Sequence, residues 1–304
     1  MARAVVFSEY GEPEVLRLVE VEDAPLAPHE IRIRVKAAGV QPFDAAYRRG
    51  IFAQYQQAVF PARLGNEVAG VVDAVGSDVT GFVAGDRVIA FMDALGYAEA
   101  VVVPAANAVH MPATMPWAEG GVLSASGQTA DTALDALAIA AGDRLLIHAA
   151  AGGVGSFATQ LAVARGATVV GTASARNHGY LADLGAIPVA YGPGLADRVR
   201  ELVPDGITAS LDCIGGEAND VAVELLGGPD RAITVADWQA ESRIGVRRIG
   251  TDRSAVRLSD LVSLYEKGRL VVPVGKQFAL DEAAHAHREI ETGHARGKIV
   301  LVTS

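Results

Sequence analysis

The chain has one cysteine, Cys213, among 304 residues. A single thiol excludes an intramolecular disulfide and any metal site built from several cysteines. Positive charge is also scarce: 26 Lys and Arg against 36 Asp and Glu give a net charge of -10. That balance argues against non-specific binding to nucleic acid or to an anionic membrane, because both need a basic footprint. No apolar run approaches the roughly 18 residues of a membrane span. The start, MARAVVFSEYGEPEV, lacks the basic-then-apolar layout of a signal peptide. There is no internal repeat and no low-complexity tract. What remains is an ordinary globular composition, half hydrophobic and one-fifth charged, with length enough for two domains. A cytoplasmic protein is the simplest expectation.

The first third reads as β-rich. RAVVFSEYG and VLRLVEVEDAP give strands, and EIRIRVKAAGV alternates apolar and charged residues with period two. NEVAGVVDAVGSDVTGFVAGDRVIAF breaks β-branched runs with Gly and Asp, the texture of a curved β-barrel. Residues 97–103 and 107–111 add short strands. After residue 116 the texture changes: residues 118–138 read as one Ala-rich helix. From Asp143 onward short apolar strands alternate with helices, which predicts a doubly wound parallel sheet. After RAITVAD come only a short loop, IGVRRIG, and one helix, SAVRLSDLVSLYEKG. The tail returns to strand, helix (281–291) and strand. The expected fold class is α/β, with a β-barrel domain over residues 1–118 and 271–304 and a Rossmann-type domain over 119–270.

The stretch HAAAGGVGSFATQLA follows the apolar strand RLLI and opens a helix. Unpaired amides and a partial positive charge at a helix start make an anion site, and glycines let a pyrophosphate reach the backbone. Ala150, Gly152 and Gly155 occupy the three spaced positions. The competing reading is a tight turn with packing glycines. An NAD site carries an acid about 20 residues further on, at the end of the second strand. Here that segment is GTASARN, without an acid. Thr172 and Ser174 offer hydroxyls, and Arg176 offers a fork of donors suited to a 2′-phosphate. The segment therefore favours NADPH, unless Arg176 is only a solvated residue at a helix start.

That glycine stretch, preceded by LSASGQTADTAL and followed by LDCIGG, resembles the medium-chain dehydrogenase/reductase superfamily. AGVQPFDAAYRRG, LGNEVAGVV, GDRV and GHARGKIVLV extend the likeness over nearly the whole chain. Within the superfamily it is similar to the zinc-independent quinone oxidoreductase branch, and so to the enoyl reductase domains of polyketide and fatty-acid synthases. The resemblance implies a GroES-like β domain with a Rossmann domain between its two parts. It places Gly152, Gly153, Val154 and Gly155 over the pyrophosphate, and Ser174 and Arg176 at the 2′-phosphate. It places Tyr191 at the adenosine end. Gln128, Thr129, Cys213, Ile214 and Val235 fall on the nicotinamide side. Cys213 reads as a small buried residue rather than a nucleophile, with no basic neighbour in sequence.

Zinc-dependent members of the superfamily use Cys and His ligands. The resembling positions here are Gln41 and Asn66, neither a usual zinc ligand. His285 and His287 point different ways on a helix, and His148 ends a strand. No metal site is expected. Without a Lewis acid the acceptors that remain are already electron-poor: quinones and α,β-unsaturated carbonyls. Gln41 and Asn66 are candidate donors to the developing oxyanion through their amides. Tyr47 is a candidate proton donor, or else a structural aromatic beside the i,i+4 pair Asp44 and Arg48; relatives carry a tyrosine one residue away in register. Tyr55 lies in the neighbouring loop. The expected activity is NADPH-dependent reduction of a quinone or enone. The alternatives are an enoyl reductase dedicated to one metabolite, and an idle NADPH-binding sensor or interaction protein. The resemblance also implies a homodimer.

Overall fold

Period-two alternation in EIRIRVKAAGV buries one face of a strand and exposes the other, and the computed structural model, which describes residues 1–303, forms one long strand there. In chain order the elements begin β1 (Ala2–Phe7), β2 (Arg17–Val21), β3 (Glu30–Val40), α1 (Pro42–Arg48), β4 (Ala62–Arg63) and β5 (Glu67–Val75). Next come β6 (Arg87–Phe91), β7 (Ala100–Pro104), β8 (Ala108–His110), α2 (Trp117–Gly120) and α3 (Ser124–Ala136). The alternating region holds β9 (Arg144–His148), α4 (Gly153–Ala164), β10 (Thr168–Ala173), α5 (His178–Asp183), β11 (Ile187–Ala190) and α6 (Leu195–Leu202). It continues through β12 (Ala209–Asp212), α7 (Glu217–Leu226), β13 (Ala232–Thr234), α8 (Ala240–Ile244) and β14 (Arg247–Arg248). The chain closes with α9 (Ala255–Glu266), β15 (Val274–Ala279), α10 (Ala283–Glu291) and β16 (Lys298–Val302).

Two compact units result. The first comprises Met1–Ala125, Arg253–Glu266 and the chain from Val274 onward; the second comprises Ser126–Asp252 and Lys267–Pro273. The division therefore falls inside α3, seven residues beyond the expected limit at 118, and α9 groups with the first unit. In that unit a seven-stranded sheet runs β15-β16-β3-β5-β6-β8, with β7 also on β3, and β2-β1-β4 form a smaller sheet. Ile31, Ile33, Val35, Val68, Val88, Tyr97 and Ile299 fill its core.

The second unit carries a parallel sheet in the order β11-β10-β9-β12-β13-β14. Numbered within the sheet this is 3-2-1-4-5-6, the doubly wound order whose direction reverses beside its first strand. Leu146, Val170, Val189 and Val199 pack between sheet and helices.

Two local expectations differ from the structure. The single helix over 118–138 is broken after Gly120, because Gly121 lies against Ala37, where an added Cβ would stand 2.6 Å from the Ala37 Cβ. The loop after RAITVAD folds into α8 and β14, ended and begun around Gly245 at φ 78°. Among the described residues no helix is long and apolar enough to cross a membrane.

Candidate functional site

In the α/β unit the turn after β9 is shaped mainly by its backbone. Ala149 takes φ 54°, and Gly152 caps α4 in extended geometry with no side-chain cap. The amides of Gly153, Val154 and Gly155 form the uncommitted first turn of a twelve-residue helix. This is an anion cradle by construction. Gly155 is required for it: an added Cβ would meet the Ala149 carbonyl oxygen at 2.5 Å and the Ala150 Cα at 2.6 Å. The turn is tied to β10 by two hydrogen bonds. The Ala149 amide donates to Thr172 Oγ1 and the Ala150 amide to the Thr172 carbonyl, both at 3.0 Å. Thr172, expected to offer its hydroxyl, is buried, and its Oγ1 accepts the Ala149 amide.

The other candidates follow the carboxyl ends of successive parallel strands. Ser174 and Arg176 follow β10, Ser174 half-buried and Arg176 exposed on the short 3₁₀ turn Ala175–Asn177. No acid lies between 171 and 177. Tyr191 follows β11 and is 58% exposed. Cys213 and Ile214 follow β12, and Val235 follows β13. Thr129 lies on α3, where its Oγ1 sits 2.6 Å from Thr251 Oγ1, and the adjacent Gln128 is fully buried. The structure thus brings Gly152–Gly155, Ser174, Arg176, Tyr191, Cys213 and Val235 to the carboxyl-terminal end of the sheet.

One organiser of that end is not legible in the sequence. The buried Asp212 carboxylate accepts hydrogen bonds from the amides of Ile214 and Gly215, from Asn219 Nδ2 and, at 2.6 Å, from Thr234 Oγ1. It braces the loop carrying Cys213 and, through the Val235 amide on its carbonyl, the end of β13. Burial, with Asp212 adding to it, pushes the Cys213 thiol well above its ordinary range, so the sulfur stays protonated and unreactive. Burial also lowers His148 to about 4 against the opposing pull of Asp212, leaving it neutral at pH 7.

In the first unit the three expected catalytic side chains have different surroundings. Gln41 caps α1 and is buried. Its Nε2 donates to Glu67 Oε1 at 2.5 Å, and its Oε1 accepts from Lys298 Nζ at 2.6 Å. Asn66 directly precedes β5; its Oδ1 is buried without a partner. Tyr47 stacks on Phe43 and meets the edge of Phe7 within an aromatic cluster. Burial raises its pKa, so its hydroxyl keeps its proton.

The expected Asp44–Arg48 helical pair does not form. Both side chains are buried, and each is drawn to partners outside α1. Asp44 accepts from the Gln41 amide, from Tyr97 Oη at 3.0 Å and from the Gly65 amide. Arg48 pairs with Glu291. Tyr97 Oη also lies 3.3 Å from His287 Nε2. Burial lifts Asp44 to about 6 in spite of its three donors, and burial, reinforced by Arg48, drives His287 down to about 3. His285, two residues away, is exposed.

The donor set does not fit a zinc ion. Gln41 and Asn66 contribute amides, and the Gln41 amide and Glu67 carboxylate are already taken by the Lys298 ammonium. A metal there would have to displace a buried cation. Among the described residues no three His, Cys, Asp or Glu side chains gather as a metal site.

A doubly wound sheet with a bare glycine-rich helix start, following a β-rich unit whose metal-ligand positions are amides, defines a pyridine-nucleotide oxidoreductase of the medium-chain type. Comparison with known proteins makes this particular. The alcohol dehydrogenase GroES-like domain matches residues 27–113 and the zinc-binding dehydrogenase domain matches 184–301. A quinone oxidoreductase of Pseudomonas aeruginosa is 32% identical, with 99% of this chain and 100% of the relative covered. The solved quinone oxidoreductase of Coxiella burnetii superposes with a TM-score of 0.90 at 30% identity, covering 100% of this chain and 99% of that one. The Escherichia coli quinone oxidoreductase, solved with NADPH, gives 0.88 at 26% identity, with 99% of each chain covered. The chain belongs to the medium-chain dehydrogenase/reductase superfamily, in its zinc-independent quinone oxidoreductase branch.

Proposed function

We propose that this chain is an NADPH-dependent, zinc-independent reductase of quinones or α,β-unsaturated carbonyls. The observation that carries the reading is the uncapped Gly152–Gly155 helix start followed, one strand on, by the acid-free Ser174–Arg176 segment. The pyrophosphate belongs on the amides of Gly153, Val154 and Gly155, and the 2′-phosphate on Ser174 and Arg176. Tyr191 packs at the adenosine end; Thr129, Cys213 and Val235 border the nicotinamide. The E. coli relative solved with NADPH supports this cofactor. Bound NADPH supplies a hydride.

The protein's part is to bind, orient and stabilise charge. Two-electron reduction puts negative charge on the acceptor oxygen, and a proton must follow. Gln41 keeps one amide N–H beyond its bond to Glu67, and Asn66 offers the NH₂ of its side-chain amide; these are the donors to that oxygen. Tyr47, protonated across the neutral range, is the proton donor.

The test is anaerobic NADPH consumption with 1,4-benzoquinone and with a small enone, each offered separately and with a chelator present. Chelator-resistant turnover is the expected result, and the product, hydroquinone or saturated carbonyl, identifies the acceptor class. NADPH binding without turnover on either acceptor would overturn the reading. We further propose a cytoplasmic homodimer. The edge of β14 not paired with β13 supports the assembly. Light scattering should give twice the 31.5 kDa chain mass; a 31.5 kDa particle would exclude the dimer.

A further inference from the structure

Gln41, Glu67 and Lys298 are distant in sequence, and the strand register of the first unit brings them together. Ile299 pairs with Val40 across β16 and β3, so Lys298 and Gln41 stand one step beyond that pair. Val68 pairs with Ala38 across β5 and β3, so Glu67 stands opposite Gly39. Gly39 gives the carboxylate its seat, because an added Cβ there would overlap Glu67. All three side chains are buried: Gln41 is 7% exposed, Glu67 0% and Lys298 2%.

The hydrogen bonds allow one orientation of the amide. Lys298 Nζ donates to Gln41 Oε1 at 2.6 Å and lies 3.1 Å from Glu67 Oε1; Gln41 Nε2 donates to that same carboxylate oxygen at 2.5 Å. Glu67 Oε2 takes the Ala125 amide at 2.7 Å. Turning the amide over would set its NH₂ against the ammonium and its carbonyl against the carboxylate. A buried ion pair is a poor device for stability, since well-packed apolar residues often serve as well. It is an effective device for direction. The ammonium on the carbonyl also draws electron density from the amide and strengthens its remaining N–H as a donor.

We infer that Glu67 and Lys298 are positioning residues, which fix and polarise the Gln41 amide so that its remaining N–H meets the acceptor oxygen. This rests on the reading of Gln41 as an oxyanion donor. The test is a cycle on the NADPH-saturated enzyme with 1,4-benzoquinone. It compares Gln41→Met, the charge-neutral pair Lys298→Met with Glu67→Gln, and the triple variant. Gln41→Met is expected to lower kcat by about a hundredfold. The pair is expected to lower kcat by about tenfold with the KM for NADPH unchanged, and the triple variant to match Gln41→Met alone. If the pair's loss persists on the Gln41→Met background, or if the pair keeps full kcat, the positioning role is overturned. Full kcat in Gln41→Met would overturn the donor reading itself. Gln41→Asn asks the same question without touching either charge. Its amide is too short to reach both partners, so kcat as low as that of Gln41→Met is expected, and wild-type kcat would refute the positioning role.

Discussion

In the proposed site Arg176 would carry the choice of cofactor. A guanidinium facing a phosphate is worth about 1.5–3 kcal/mol as a charge-assisted contact, and the ribose hydroxyl of NADH offers it nothing comparable. Arg176→Ala should therefore raise the Kd for NADPH roughly tenfold or more and leave that for NADH within about twofold. Titration of cofactor fluorescence measures both, and equal losses would mean that the 2′-phosphate is read elsewhere. The expectation for this residue is drawn from local sequence alone: a strand, no acid, then a cation. Glu67, Lys298 and Asp212 were not legible for the opposite reason. Lys298 meets Gln41 across 257 residues, and no spacing rule reaches that far. Asp212 looks like any acid closing a strand until Asn219 and Thr234 converge on it. Asp44 and Arg48 were read as a pair because i,i+4 spacing is visible in a sequence, whereas Tyr97 and Glu291, the partners they take, are supplied by the fold.

At the scale of elements, what could be read was periodicity. Short apolar strands alternating with helices declared the parallel sheet, and its order puts the bare start of α4 where the sheet reverses. What could not be read was set by close approach between elements. The Gly120–Gly121 pair within residues 118–138 is a break signal, but its packing reason appears only once Ala37 lies against Gly121. Strand β14 has two residues, too few for alternation to register, and α8 has five. The glycines of the cradle lie between these cases. Their spacing was visible, yet the reason Gly155 admits no larger residue is the Ala149 carbonyl at 2.5 Å from any Cβ. A strand this near a helix start is also what aims three amides at one point.

For the molecule as a whole, buried titratable groups predict that acid acts unequally on the two units. His148, in the α/β unit, is held at about 4, below the ordinary value near 6.5. The unfolded chain takes up that proton first, so its stability is full above pH 6.5 and falls as pH drops toward 4. By pH 4.5 the loss is about 3 kcal/mol at roughly 1.4 kcal/mol per unit. In the first unit His287, at about 3, imposes a similar loss. Asp44, lifted to about 6, acts with the opposite sign. Its folded form binds the proton first, so stability is gained as pH falls from 6 toward 3.8, about 2 kcal/mol by pH 4.5. The two groups, both hydrogen-bonded to Tyr97, largely cancel. Peptide-resolved hydrogen exchange at pH 6.5 and 4.5, corrected for intrinsic rates, should show protection falling in β9, β10 and β12 and nearly constant in β3, β5 and β16. Asp44→Asn removes the compensating group, so the first unit should then lose protection by a similar amount. Equal acid sensitivity of the two units in the wild-type protein would mean that His148 accepts a proton within the fold, and Asn at position 44 without effect would mean that Asp44 ionises normally despite its burial.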